Sequence, residues 1–237
     1  MNRVDVLVFG PHPDDLELGA GGTIAAHVAQ GDSVGLCDLT LGEMGSNGTP
    51  EERRAESLAA ARVLGAAWRV NLGWPDRAIS GVATQTRTAV ELIRRARPRT
   101  IAVPFWTDRH PDHEAASRVL TDTIFNSGLR RYEADGEPWR PEWTCYYFIN
   151  DMAEPSFVVD VSAHYETKWR ALECYQSQFA PATAGAVATR LTAPTFRRLI
   201  ESRDSQFGAR IGVAHAEGFV VRQPVLRRDL FAELPAR

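Results

Sequence analysis

Short apolar runs alternate with segments of helical period through the first half of the chain, the signature of βα units and a mainly parallel sheet. Val4–Gly10, Ser33–Thr40, Trp68–Leu72 and Thr100–Phe105 read as successive buried strands. Between the first two, Gly21–Gln30 sets Ile24, Ala25 and Val28 on one helical face and stops at Gly31-Asp32. Pro50-Glu51-Glu52 opens a second helix with proline and acids in its first turn, and Ala55, Leu58, Ala59, Arg62 and Val63 follow at helical spacing up to Gly65. Thr84–Arg97 is a third helix ended by Pro98. His113–Asn126, entered through Pro111-Asp112, is a fourth, with Ala116, Val119, Leu120 and Ile124 facing inward. Further strands are expected at Thr144–Asn150 and Phe157–Val161, then a helix near Ala163–Tyr175. Asp135–Trp143, with two prolines and two tryptophans, reads as a loop, and Ala180–Gly185 as a mobile surface segment.

Composition narrows this picture. The 237 residues suit one α/β domain, and 44% hydrophobic with 24% charged residues is an ordinary globular balance, so folding is expected throughout except in the last few residues. A formal charge of −3 offers no field for nucleic acid, although arginines cluster at 94–99 and 227–228. No apolar run is long enough to span a bilayer, and the first apolar stretch, interrupted by Asp5, is too short for a signal-peptide core; a cytoplasmic protein is expected. Cys37, Cys145 and Cys174 lie far apart without CxxC spacing and read as buried thiols.

The chemistry concentrates in two acidic histidine clusters. Of six histidines, three stand in His12-Pro13-Asp14-Asp15 and His110-Pro111-Asp112-His113. Each cluster follows an expected parallel strand, which puts both at the carboxyl edge where open α/β sheets bind ligands. Catalytic zinc takes three protein ligands from histidine nitrogen and carboxylate oxygen and keeps a fourth position open. A proline-stiffened turn lets His12 and Asp15 converge on one ion while Asp14 diverges from them, free to act as a base. His113 completes the ligand set, and His110 is available to donate a proton or hydrogen bond to a tetrahedral intermediate. Asp112 can orient either His110 or His113, and spacing alone does not choose between them. Turns followed by capped helices also use proline and aspartate, but capping requires no histidine, and two such clusters in equivalent places favour the metal site. Gly19-Ala20-Gly21-Gly22 is a poor dinucleotide fingerprint, since Asp14, Asp15 and Glu17 would face the incoming pyrophosphate; close helix-to-sheet packing explains these glycines better.

These motifs, PHPDDLELGAGG at 11–22 and HPDH at 110–113, resemble the hallmark of the PIG-L/LmbE-like deacetylase family. The likeness extends to Gly42-Glu43-Met44-Gly45, Gly48-Thr49-Pro50-Glu51-Glu52-Arg53, Pro75-Asp76 and Arg109, features similar to the bacterial branch that deacetylates N-acetylglucosaminyl malate in bacillithiol synthesis. It continues through Lys168, Tyr175-Gln176-Ser177-Gln178, Ile211-Gly212-Val213 and Ala216-Glu217-Gly218-Phe219, and is weakest around 128–143 and 180–195. The resemblance implies a single Rossmann-like domain over 1–237 with its site at the carboxyl edge of the strands. It also implies zinc on His12, Asp15 and His113, Asp14 as general base, His110 assisting the intermediate or the leaving amine, Arg53 on substrate hydroxyls and Arg109 on the malyl end. A homo-oligomer, such as a hexamer built from trimers with the loop at 138–143 as candidate interface, belongs to the same expectation. Mycothiol-pathway relatives carry a tyrosine two residues before the first HPDH histidine, where this chain has Asp108. Two alternatives stand beside this reading: a deacetylase for another N-acetylglucosamine-containing sugar, and a non-catalytic sugar- or metal-binding protein.

Overall fold

The computed structural model describes residues 2–180 and 185–226. Seven strands form one sheet: β1 (Val6–Gly10), β2 (Val34–Thr40), β3 (Trp68–Trp74), β4 (Thr100–Pro104), β5 (Trp143–Tyr147), β6 (Phe157–Asp160) and β7 (Ala216–Val220). Their order is β3-β2-β1-β4-β5-β7-β6; the first five run parallel, and β7 is antiparallel to both its neighbours. The helices are α1 (Asp15–Ala29), α2 (Pro50–Leu64), α3 (Ala83–Ala96), α4 (Pro111–Ser127), α5 (Tyr165–Leu172), α6 (Gln176–Phe179) and α7 (Pro194–Ile211).

Alternation along the strands builds a core on each side of the sheet. Val6 and Val8 of β1 and Val34 and Leu36 of β2 pack with Leu16, Ile24, Ala60, Leu64 and Leu172 from α1, α2 and α5. Leu7, Phe9, Cys37 and Leu39 face the other way onto Ala89, Ile93, Ala116 and Leu120 from α3 and α4. Helix α7 spans both, with Phe196 and Ile200 in the first core and Phe207 in the second. Helix α2 starts as its sequence dictates: Thr49 and Glu52 make a reciprocal capping box ahead of Pro50, and Gly65 closes the helix at φ 75°.

Several expectations need correction. Helix α1 begins at Asp15 rather than Gly21, because its glycines are used for contact. A Cβ on Gly19 would fall into the Tyr147 ring and within 2.7 Å of the Phe148 carbonyl oxygen, and one on Gly22 would meet Val161 at 2.6 Å. Helical propensity, which disfavours glycine, is overridden by packing. The helix expected near Ala163–Tyr175 is two short pieces, a 3-10 turn at Ser162–His164 and α5, with α6 following it. Strand β5 starts at Trp143 and ends at Tyr147, three residues before Asn150, whereas β3 runs on to Trp74. Helix α7 and strand β7 add to the expected element set. Cys37 and Cys145 are buried, but Cys174 is only half-buried. Of the arginines at 94–99, Arg95 and Arg99 are exposed, whereas Arg94 is buried and donates to the carbonyls of Ser127, Leu129, Ala134 and Gly136, pinning the 128–142 loop. Trp139 of that loop donates to the Pro98 carbonyl and lies under the Arg97 guanidinium, so it serves local packing. Of the segment expected to be mobile, 181–184 lie outside the described residues, as do the last few residues and the arginines at 227–228. No helix among the described residues is long and apolar enough to cross a membrane.

Candidate active site

The two histidine clusters meet because of strand order. After β1 the chain winds outward through β2 and β3, then returns to lay β4 on the other side of β1. The connections leaving β1 and β4 diverge at this reversal and open a crevice at the carboxyl edge. His12-Pro13-Asp14 fills the β1 side and leads into α1, while Asp108–His110 fills the β4 side and leads into α4. Asp14 is the N-cap of α1 but makes no capping bond, and it sits at φ 107°, a region costly for any residue with a Cβ. That turn lets Asp15, the first helical residue, reach back to the His12 backbone N–H at 2.9 Å.

His12, Asp15 and His113 are all buried, and their side chains converge. Asp15 Oδ2 lies 3.1 Å from His12 Nδ1 and 3.3 Å from His113 Nε2. Both imidazoles are braced from behind. His113 Nδ1 is 3.0 Å from Asp108 Oδ1, and His12 Nε2 is 3.2 Å from Asp76 Oδ1 and 3.3 Å from Asp112 Oδ2. Metal-binding histidines are commonly held in this way, by a carboxylate on the nitrogen turned away from the ion.

The electrostatics fit a cation. Burial alone would lower both histidines, yet Asp112, Asp15 and Asp76 raise His12 well above its ordinary pKa, and Asp15 with Asp108 takes His113 to about 9. Burial would raise Asp15, but His113 and His12 hold it well below the usual carboxylate range. The surrounding carboxylates that raise both imidazoles would equally attract a divalent cation, which would bind the neutral rings with release of their extra protons. Among the described residues, the ligand atoms of His12, His110 and His113 lie within 4.8 Å of one another, as do those of His12, Asp76 and Asp112; His12, Asp15 and His113 do not form such a group, and meet through the shared Asp15 oxygen.

Asp14 stands beside this set. Burial raises its carboxyl to about 7, against the lowering pull of Arg53, whose Nη2 is 3.3 Å from Asp14 Oδ2. His110 is half-buried, with its ring centroid 4.9 Å from that of His12 and 4.6 Å from that of His113. Its Nδ1 accepts the Asp112 backbone N–H at 3.2 Å, so a neutral ring carries its proton on Nε2. Burial and then the neighbouring His113 and His12 lower its pKa, which favours that neutral form.

Two expected roles change. The Asp112 carboxylate orients neither His110 nor His113: it accepts from Arg77 N and Arg77 Nη1 and faces His12. Arg53 lines the cavity, but its terminal nitrogens already donate to the carbonyls of Gly42 and Pro13 and to Asp14, while its Nε–H has no partner. Arg109 is exposed and lines the cavity. Asp76 and Asp108, to which motif reading gave no role, contact the histidines of the site. Their signal was present, one beside Pro75 and the other two residues before HPDH, but only contact distances show that they hold histidines. The cavity over the site has a volume of about 360 Å³ and is also lined by Met44, Ser46, Asn150, Gln178, Thr189 and Leu191.

Comparison with known proteins finds several likenesses. The conserved protein TT1542 from Thermus thermophilus is 42% identical and superposes with a TM-score of 0.86, over 94% of this chain and 97% of that one. A diacetylchitobiose deacetylase from Thermococcus kodakarensis is 29% identical over 73% of this chain and 70% of its own length. A probable N-acetyl-α-D-glucosaminyl L-malate deacetylase 2 from Bacillus anthracis is 27% identical over 76% of this chain and 83% of its own. The PIG-L family, described as GlcNAc-PI de-N-acetylase, matches residues 7–124, a span that holds β1 to β4 and both histidine clusters. The chain belongs to the PIG-L family of deacetylases.

Proposed function

We propose that this protein is a zinc-dependent N-deacetylase whose substrate is N-acetylglucosaminyl malate, with His12, Asp15 and His113 as the metal ligands. The observation that carries the reading is the convergence of His12 Nδ1 and His113 Nε2 on one oxygen of Asp15, with Asp14 beside them in an open cavity. A bound divalent cation supplies Lewis acidity toward the amide carbonyl and toward water. Asp14, with a pKa near neutrality, accepts a proton from the attacking water. His110 donates its Nε2–H to the oxyanion as the carbonyl carbon becomes tetrahedral. The C–N bond then breaks, Asp14 returns its proton to the leaving nitrogen, and acetate and the free amine separate. Asp76, Asp108 and Asp112 keep the two imidazoles oriented.

The malyl assignment is supported by Arg109 on the cavity rim, where a guanidinium can pair with a carboxylate in bidentate fashion. The test is acetate release from N-acetylglucosaminyl malate by zinc-loaded protein, lost with a chelator and restored by zinc. Equal kcat/KM on diacetylchitobiose, which lacks the carboxylates, would replace the malyl reading with a broader N-acetylglucosamine deacetylase. No acetate from any N-acetyl sugar, with zinc bound, would leave a binding protein.

A further inference from the structure

Four arginines line the cavity: Arg53, Arg77, Arg109 and Arg190. Two of them pair with acids of the site, Arg53 with Asp14 and Arg77 with Asp112, while Asp15 and Asp76 lie against the imidazoles of His12 and His113. Among the described residues, the guanidiniums of Arg109 and Arg190 have neither an ion-pair nor a hydrogen-bond partner. Two arginines whose guanidiniums are unpaired among the described residues therefore line one cavity in a protein whose formal charge is −3.

Arg190 is held in place. The stretch 185–193 crosses to the site between α6 and α7, and Asn47, from the connection after β2, clasps it at Val187. Asn47 Nδ2 donates to the Val187 carbonyl, and the Val187 N–H donates to Asn47 Oδ1, each at 2.9 Å. Gln178 of α6 secures Asn47 in turn by donating to its carbonyl at 2.7 Å. Thr189 and Thr192 bond reciprocally around Arg190, and the Arg190 carbonyl accepts the Ala193 N–H just ahead of α7. The Arg190 guanidinium lies 5.8 Å from the centroid of the Phe196 ring, which limits its swing. Thr189, Arg190 and Leu191 thus form a cavity wall on a fastened strap, and Arg109 stands on a different wall beside His110.

Resting on the deacetylase reading above, we infer that Arg190 is a specificity-determining residue: with Arg109 it grips a doubly charged anionic group attached to the N-acetylated sugar. Two guanidiniums from separate loops suit a dianion, which can offer an oxygen pair to each. A dicarboxylate and a phosphate monoester share that chemistry.

The test compares wild type with Arg190→Gln and Arg190→Lys on three substrates: N-acetylglucosaminyl malate, N-acetylglucosamine 1-phosphate and neutral methyl N-acetylglucosaminide. Arg190→Gln should raise the ratio of KM for the preferred anionic substrate to KM for the neutral one about tenfold, the scale of one charge-assisted hydrogen bond at a wet rim, and Arg190→Lys should recover part of it. Whichever anion shows the effect identifies the source of the charge. An equal rise in KM for the neutral glycoside would overturn the inference in favour of wall packing, and an unchanged ratio for both anions would overturn it outright. Calorimetric binding of L-malate and of inorganic phosphate to the zinc-loaded protein decides the question apart from turnover. Binding that weakens about tenfold in Arg190→Gln supports the grip even where no substrate is cleaved, whereas binding of neither ion, or binding indifferent to the substitution, refutes it.

Discussion

Replacing Arg53 separates two roles for that residue. Its guanidinium is buried, with Nη2 3.3 Å from Asp14 Oδ2 and donating also to the Pro13 carbonyl, and Nη1 donating to the Gly42 carbonyl. If Arg53 mainly keeps the base ionised, Arg53→Met removes the charge that opposes the burial of Asp14. Coulomb's law gives about 5 kcal/mol for that pair at an effective dielectric of about 20, an upper bound beside an open cavity. Arginine neighbours typically move an aspartate by about 1–3 pKa units, so Asp14 should rise by that much from its value of about 7. The sign follows from the role: a base works ionised, activity climbs as pH rises through its pKa, and a higher pKa carries the acid limb of the profile upward. From half ionised at pH 7, such a rise leaves roughly 10% down to 0.1% ionised, a loss of about 5- to 500-fold at neutral pH that is regained in alkali. A bound cation lowers the starting and final values together, so the displacement of the limb is the quantity to measure. The assay is kcat/KM for acetate release from pH 5 to 10 for wild type, Arg53→Met and Arg53→Lys, with a thermal melt to show that each variant is folded. Lysine keeps the charge and should keep the limb near its original place. A raised KM with an unmoved limb would refute this reasoning and return Arg53 to the substrate hydroxyls.

Asp14→Ala should abolish turnover while the metal content measured by atomic absorption stays near one per chain; loss of metal as well would make Asp14 a ligand. Asp108→Ala removes the carboxylate behind His113 and should weaken zinc binding about 10- to 100-fold in a competition titration with a chromophoric chelator. Unchanged affinity would mean that packing alone orients the ring. Lys168 is fully buried and donates to Asp204 and Glu217 at 2.7 Å each, so Lys168→Met leaves buried Glu217 without its cation and Asp204 with Arg203 alone. Urea titration should show a loss of about 3–5 kcal/mol, and a loss under about 1 kcal/mol would contradict the burial. Gly19→Ala places a methyl group in the Tyr147 ring and should cost about 1–3 kcal/mol in the same titration, the usual penalty for overpacking.

Much of this protein is legible in its sequence because the information is local. The apolar runs of β1 to β4, the capping signals of α2 and the two histidine clusters all depend on residues close together in the chain. Strand alternation with helices implies a parallel sheet, and position after a strand puts each cluster at the carboxyl edge. Less legible were elements whose identity comes from distant partners. The glycines of α1 read as helix breakers until Tyr147 and Val161 are seen to require them. Strand β7 is tied to α1 by Glu217, which accepts the backbone N–H groups of Gly22 and Thr23 across nearly the whole chain. The sequence determined which residue types could hold a metal and where in the fold they stand. Only tertiary structure decided who serves whom: that Asp112 faces His12, that Asp108 backs His113, that Arg53 is spent on Asp14, and that Arg190 shares a cavity with Arg109. Motif spacing sets the direction of a turn, but which carboxylate meets which imidazole depends on strand order and on the angles at which separate loops cross, and these are set by the packing of the whole sheet.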